Sequence, residues 1–297
     1  MIVAGPPEPG RSTSDKTSSQ FNLTRRANGC RRSFPDGRLP ARRSPCPAVT
    51  NHGLFPRDSF RVNQNYAGFT KTDWDQGIAE INIDTAFGDG TITNIAAVRA
   101  LSNDSGADLD GSPVTSLHSR NNIEQWQISN ELRYAGTFGA FDVTTGLFYF
   151  DQDINYAEQR LLSGGALTVS GGGRQKQKTG GVFATIDWNI TDMLTVSVGA
   201  RYSAEEKAVQ VRSIGVGGCN LDTLRCSYDF VEKDTWSGFN PRVGVPLTPP
   251  ADPLLYASFA QGFRSGGYNF RNLNPNVAPG PFDQEKQDAY EVGLKQE

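Results

Sequence analysis

The feature that most constrains the fold is an alternation of apolar and polar side chains that begins near residue 60 and repeats over segments of about ten residues. Successive side chains of a β-strand point to opposite faces, so a period of two predicts strands with one apolar and one polar face. Tight turns join such segments in pairs at 79–101, 124–150 and 182–202, which predicts antiparallel hairpins. In the third pair the apolar positions are Val182, Ala184, Ile186, Trp188 and Ile190, then Leu194, Val196, Val198, Ala200 and Tyr202.

The connections between these strands alternate in length. Those after Phe87, Gly136 and Ile190 are short, whereas 102–123, 161–178 and 205–234 are long, polar and rich in Gly. Short turns at one end and long loops at the other are the layout of a transmembrane β-barrel, and ten residues suffice for one strand to cross a bilayer. A soluble β-sandwich also alternates. Charged and amide side chains along one whole face of each strand favour the barrel, in which that face lines a wet lumen.

Composition and motifs exclude several other classes. Hydrophobic residues make up 37% of the chain and no run of 18 apolar residues occurs, so a helical membrane protein is excluded. The chain has no GxSxG, no GxxxxGK[ST], no GxGxxG after a strand and no CxxC. We therefore expect no enzyme activity, no cofactor and no metal site, and carboxylates on inward faces are interpreted as lumen lining.

Residues 1–59 form a different compositional segment that is basic and rich in Pro and Arg. With few apolar residues and no period, it cannot bury enough surface to offset the entropy of ordering, so it is predicted to be disordered. A basic arm that binds nucleic acid is the alternative, but no nucleic-acid partner is expected. The predicted division is thus 1–59 and 60–297.

Four segments of the second part resemble one family. Residues 256–269 read YASFAQGFRSGGYN and are followed by PFDQEKQDAYEVGLKQE at 281–297. Upstream lie GGVFATIDWNITDMLTVSVGARYSAEEK at 180–207 and WSGFNPRVGV at 236–245. In this order they resemble the late barrel of TonB-dependent outer-membrane receptors, so the fold implied is all-β, an antiparallel transmembrane β-barrel of which this chain carries about eight to ten strands.

The resemblance implies a protein of the Gram-negative outer membrane that takes up a scarce solute, most often a ferric siderophore. Its partners would be that solute, the TonB energy-transducing complex and outer-membrane lipid. The family's signal, TonB box and plug are not recognisable in the sequence, and the family's barrel has about 22 strands. The expectation is therefore a fragment that is not competent for transport by itself. A small closed barrel acting as a pore or adhesin, and a secreted β-sandwich binding module, remain as alternatives.

Three groups of residues are expected to matter in such a protein. Glu131, Arg133, Asp187 and Arg201 are inward-facing candidates for contact with the lumen or plug. The signature segment comprises Gly262, Phe263, Arg264, Ser265, Gly266 and Gly267, where the strand is expected to leave the bilayer and bend into a surface loop. Cys219 and Cys226 are seven residues apart in a long loop, a spacing that suits a disulfide in an exported protein, with two free thiols as the alternative.

Overall fold

Nine of the strands form a single antiparallel sheet. The computed structural model describes residues 64–249 and 253–296, so the predicted disordered segment 1–59 lies outside the described residues. The strands are β1 (Phe69–Thr85), β2 (Gly90–Asp108), β3 (Leu117–Phe138), β4 (Phe141–Leu162), β5 (Leu167–Asn189), β6 (Thr195–Gly215), β7 (Cys219–Asn220), β8 (Arg225–Cys226), β9 (Phe230–Leu247), β10 (Pro253–Arg264) and β11 (Glu285–Gln296). Single 3-10 turns occur at Phe87–Asp89 and Ser163–Gly165.

Each strand of the sheet pairs with the next one along the chain, in the order β1-β2-β3-β4-β5-β6-β9-β10-β11, while β7 and β8 form a separate hairpin. In the part of the chain that the structure describes, β1 and β11 are the two edges and the sheet does not close on itself. This confirms the predicted partial antiparallel barrel of eight to ten strands. Because all nine strands lie in one sheet, the β-sandwich alternative is wrong, and the described strands do not form a small closed barrel. No α-helix among the described residues is long and apolar enough to span a bilayer.

The register separates two faces. One cross-strand row runs Leu132, Leu147, Val182, Tyr202, Phe239 on what we call the apolar face. The adjacent row runs Arg133, Gly146, Phe183, Arg201, Asn240 on the polar face. Leu147 and Val182 remain 58% and 48% exposed, which fits side chains that lipid rather than protein would cover.

The apolar face ends at a cross-strand row in which four of seven residues are charged, and we call it the charged row. Neighbouring residues in this row are Asp75, Ala100, Trp126, Asp153, Lys176, Ala208 and Lys233. On β4 the apolar band therefore covers about ten residues, the length of one membrane crossing. The strand then continues from Asp153 to Leu162, outside that band.

The predicted strand length of about ten residues was wrong, because the strands are longer. The strands that adjoin the supposed loops are 18 to 23 residues long, and most of 102–123, 161–178 and 205–234 is strand. Backbone hydrogen bonds continue the ladder where both faces are polar, so apolar alternation does not mark these extensions. The true connections at this end, which we call the loop end, are 109–116, 163–166, 216–229 and 265–284.

The few buried apolar side chains lie where these connections cover the sheet. They are Ala157, Val209, Val211, Leu221 and Trp236. All five belong to the strand extensions or loops near the loop end, beyond the apolar band. The protein core therefore sits there, and the opposite end, which we call the turn end, is built of short turns.

Candidate functional site

The connection between β10 and β11, residues 265–284, folds back onto the polar face, and we call it the inner loop. The backbone N–H of Ile214 on β6 donates to the carbonyl of Asn272 at 2.8 Å. The amide of Asn272 donates to Ser213 Oγ at 3.1 Å and to two carbonyls of the inner loop itself. Asn272 is buried, so the loop packs against the sheet as part of its structure.

Glu158 on β4 is the main electrostatic anchor of the inner loop. Its side chain is 1% exposed and accepts two hydrogen bonds from Arg271, at 2.7 Å and 2.9 Å, in a bidentate pair. Arg160 also donates to it, and so does the hydroxyl of Tyr156 at 2.6 Å. Burial alone would raise the pKa of Glu158, but the hydrogen bonds from Arg271, Arg160 and Tyr156 outweigh it and lower that pKa to about 2. Glu158 is therefore ionised throughout the physiological range.

Lys207 on β6 fixes the start of the inner loop. Its ammonium donates to Ser265 Oγ at 2.8 Å and to the carbonyl of Gly266 at 2.7 Å. It also pairs with Glu205 at 2.9 Å and lies 5.6 Å from the ring centre of Trp236. A hydroxyl, a carbonyl and a carboxylate thus satisfy the three donors of one ammonium.

The predicted signature segment spans the end of β10 and the beginning of the inner loop. Gly262, Phe263 and Arg264 are strand residues, and the chain bends directly after them. The bend leads onto the polar face, whereas a surface loop was expected. Arg264 lies directly opposite Glu285 on β11, with 3.6 Å between the charged groups and 76% of its side chain exposed.

Position 266 requires glycine because neighbouring atoms approach its Cα closely, and not because its backbone is left-handed. It is absent from the glycines with positive φ. A Cβ there would lie 2.5 Å from Trp236 Nε1 and even closer to the carbonyl of Phe282. Any larger residue would therefore push the inner loop away from the sheet.

Three of the four predicted lumen residues line one depression of about 450 Å³ on the polar face, which we call the inner recess. Glu131 and Arg133 are neighbours on β3, with 3.7 Å between their charged groups. Arg201 lies against the rings of Phe148 and Phe183, 5.1 Å and 6.0 Å from their centres, and donates to Ser203 at 2.9 Å.

Asp187 lies on the same face but outside the inner recess. It is directly opposite Asp142 and Ser197, and it lines a second depression nearer the turn end. The structure therefore brings Glu131, Arg133 and Arg201 together and leaves Asp187 apart.

Cys219 and Cys226 are joined by a disulfide across the β7–β8 hairpin, with their Cα atoms 4.0 Å apart. The hairpin docks on the side of the sheet opposite the inner loop. There Ser170 Oγ exchanges hydrogen bonds with the backbone of Cys219 at 2.8 Å and 3.0 Å. The amide of Asn122 donates to the carbonyl of Leu221 at 3.2 Å.

The sequence does not predict two further groups of polar side chains that the fold brings together. A depression of about 370 Å³ at the loop end, which we call the outer recess, is lined on the polar face by Asn121, Tyr156 and Arg271 among others. Separately, Asp108, Asp110 and His118 bring metal-ligating atoms within 4.8 Å of one another. Both groups join residues from different strands or loops, so no local spacing marks them.

Comparisons with known proteins agree with this architecture. A sequence model described as TonB dependent receptor-like, beta-barrel, matches residues 9–297. The match starts within the predicted segment 1–59, and the boundary at 59/60 stays a prediction. The ferric yersiniabactin uptake receptor FyuA from Yersinia pestis superposes with a TM-score of 0.65 at 20% identity, over 77% of this chain and 34% of that one.

The ferric-catecholate import receptor Fiu from E. coli K12 superposes with a TM-score of 0.56 at 13% identity, over 80% of this chain and 41% of that one. At such identities the likeness shows the fold alone. The chain spans about a third to two-fifths of the length of these solved receptors. Because the family match extends over nearly the whole chain, this protein belongs to the TonB-dependent receptors, and its described strands are part of an outer-membrane β-barrel.

Proposed function

We propose that this protein serves in the TonB-dependent import of a scarce solute, by binding and transport and not by catalysis. We propose further that the solute is of the ferric siderophore class. The observation that carries the proposal is the outer recess. Its guanidinium, Arg271, is 56% exposed although it is fixed by Glu158, and Tyr156 and Asn121 lie beside it. A fixed guanidinium with a phenol and an amide suits a ligand that presents anionic oxygens and aromatic groups.

The inner recess supports a second part of the proposal. It contains three guanidinium groups, from Arg133, Arg201 and Arg242, and one carboxylate, from Glu131, so its formal charge is +3 − 1 = +2. We propose that these residues contact the plug of the receptor through polar contacts that water can replace. The TonB complex would supply the energy that breaks them, and outer-membrane lipid would cover the apolar face.

Uptake of radiolabelled iron bound to different siderophores tests the proposal in cells that make the receptor. We expect loss of the gene to abolish uptake of one class of ferric siderophore, and loss of TonB to have the same effect. Uptake that survives the loss of TonB would contradict the proposal.

A matched pair of substitutions tests the outer recess. Asn121→Asp adds a negative charge in the recess while it keeps the acceptor for Ser105, and it is expected to weaken binding of an anionic ferric siderophore at least tenfold. Gln127→Glu adds the same charge on the same strand outside the recess and keeps the acceptor for Gln125, so binding should not change. Equal effects of both substitutions would exclude the recess as the binding site.

A further inference from the structure

Asp108, Asp110 and His118 lie where the connection 109–116 joins β2 to β3 at the loop end. Asp108 and His118 are direct partners in the register of these two strands. The distance from His118 Nε2 to Asp108 Oδ2 is 3.8 Å, and one ligand atom of Asp110 lies within 4.8 Å of both. Two carboxylates and an imidazole therefore converge at a single point.

Asp108 leaves one of its oxygens unpaired. Its side chain is 0% exposed. Oδ1 accepts the backbone N–H groups of Asp110 and Gly111, at 3.1 Å and 2.9 Å. Oδ2 is buried and has no hydrogen-bond partner among the described residues, although it faces His118. A buried carboxylate oxygen without a donor is costly, and a bound cation removes that cost.

Asp110 is held in place by hydrogen bonds from the backbone around it. Asp110 Oδ2 accepts the backbone N–H groups of Ser116 and Leu117 at 2.9 Å and 2.7 Å, and Oδ1 accepts that of Ser112 at 3.0 Å. Each carboxylate oxygen has two acceptor sites, so Oδ1 retains one that is free for a metal.

His118 is oriented from the segment that precedes β1. The ring of Tyr66 stacks on the imidazole with 5.1 Å between ring centres. Nε2 lies 2.9 Å from Asn65 Oδ1, an amide oxygen that can itself serve as a ligand. Asn65 Oδ1 therefore adjoins the same imidazole nitrogen that faces Asp108 Oδ2.

We propose that Asp108, Asp110 and His118 bind a divalent first-row transition-metal ion such as Zn²⁺, with Asn65 as a further ligand. Such an ion lies about 2.0 to 2.2 Å from imidazole nitrogen and carboxylate oxygen, so two of its ligands can be about 4 Å apart. The 3.8 Å separation of His118 and Asp108 fits this limit. An imidazole among the ligands favours Zn²⁺ over Ca²⁺ or Mg²⁺, which prefer oxygen alone. The ion would tie residues 65 and 66 to the ends of β2 and β3.

Calorimetric titration of the full chain in detergent with ZnCl₂ tests the proposal. The measurement uses a Cys30→Ser, Cys46→Ser background, because thiolates bind Zn²⁺ by themselves. We expect one Zn²⁺ per chain, and at least tenfold weaker binding in both Asp108→Asn and His118→Gln. Asp222→Asn is the matched control, because it removes an exposed carboxylate at the same end of the sheet and should leave binding unchanged.

Electron paramagnetic resonance of bound Cu²⁺ provides a test that does not depend on comparing affinities. Coupling to one imidazole nitrogen is expected in the unsubstituted chain and should be absent in His118→Gln. Failure to bind Zn²⁺ would overturn the proposal. Undiminished binding in both variants, or binding of Ca²⁺ as tight as that of Zn²⁺, would also overturn it.

Discussion

Single side chains determine where the inner loop lies. Glu158 accepts a bidentate pair from Arg271, and Lys207 binds both Ser265 and the carbonyl of Gly266. Both anchors are ionic groups on the strand extensions, and each is completed by a residue of the loop. Because these contacts join the loop to the strand extensions and do not join the strands to one another, a change at one of them should loosen the loop without unfolding the sheet.

The anchoring by Glu158 should depend on pH in a defined window. Its pKa in the folded protein is about 2, below the ordinary value of 4.5. A depressed pKa means that the ionised carboxylate contributes its full stabilisation above about pH 4.5 and loses it as the pH falls toward 2. We expect pepsin to cleave the inner loop faster as the pH falls through this window. Glu158→Gln should be cleaved fast at every pH in this window. If the ratio of the two proteins' cleavage rates were the same at pH 2 as at pH 5, the assignment of this role to Glu158 would be contradicted.

Gly266 and Gly262 offer a matched pair four residues apart. In Gly266→Ala the new methyl group meets Trp236 and the carbonyl of Phe282, whereas a Cβ at Gly262 meets nothing within 4 Å. Gly266→Ala should therefore displace the inner loop and speed hydrogen exchange in 265–284 about tenfold or more, and Gly262→Ala should leave it unchanged. If both substitutions had the same effect, close packing at Gly266 would not be the reason for a glycine there.

At the scale of elements, the sequence predicts the part of each strand that lies in the apolar band. Alternation along 182–190 and 194–202 correctly places β5 and β6 and their common turn. It fails for the extensions, where neither face is apolar. It cannot place the inner loop, because the contact between Glu158 and Arg271 joins residues 113 positions apart. Nor can the sequence bring Asp108 and His118 together, because both lie in 102–123, which the alternation indicates as loop and the structure shows to be largely paired strand.

The β7–β8 hairpin is an element whose stability should depend on its own cross-link. The disulfide joins residues only seven positions apart, and closing so short a loop contributes about 2 kcal/mol in the chain-entropy model. Replacement of Cys219 and Cys226 by Ser should therefore speed hydrogen exchange in 216–229 by about 30-fold. The inner loop lies on the opposite face and serves as an internal control. Faster exchange in both regions would contradict the independence of the two loops.

For the whole molecule, the two faces of one sheet meet different surroundings. The apolar face is bounded by the charged row that includes Asp153 and Lys176, while the polar face carries the inner recess and, beyond the band, the inner loop. The protein therefore concentrates its own packing at the loop end and leaves the apolar band to be covered by lipid. This division explains why few side chains are buried and many large apolar ones are exposed.

A lysine on each face of β4 tests that division directly. Leu147→Lys places a charge in the middle of the apolar band and should destabilise the chain in lipid vesicles by about 2 to 4 kcal/mol. Thr144→Lys places the same charge on the polar face, in the lining of the inner recess, and should cost less than about 1 kcal/mol. Urea titration of the full chain in vesicles, followed by tryptophan fluorescence, measures both changes.

In detergent-free buffer the difference between the two variants should vanish, because no lipid then covers Leu147. Equal destabilisation by the two lysines in vesicles would mean that the faces are not divided between lipid and lumen as the register indicates.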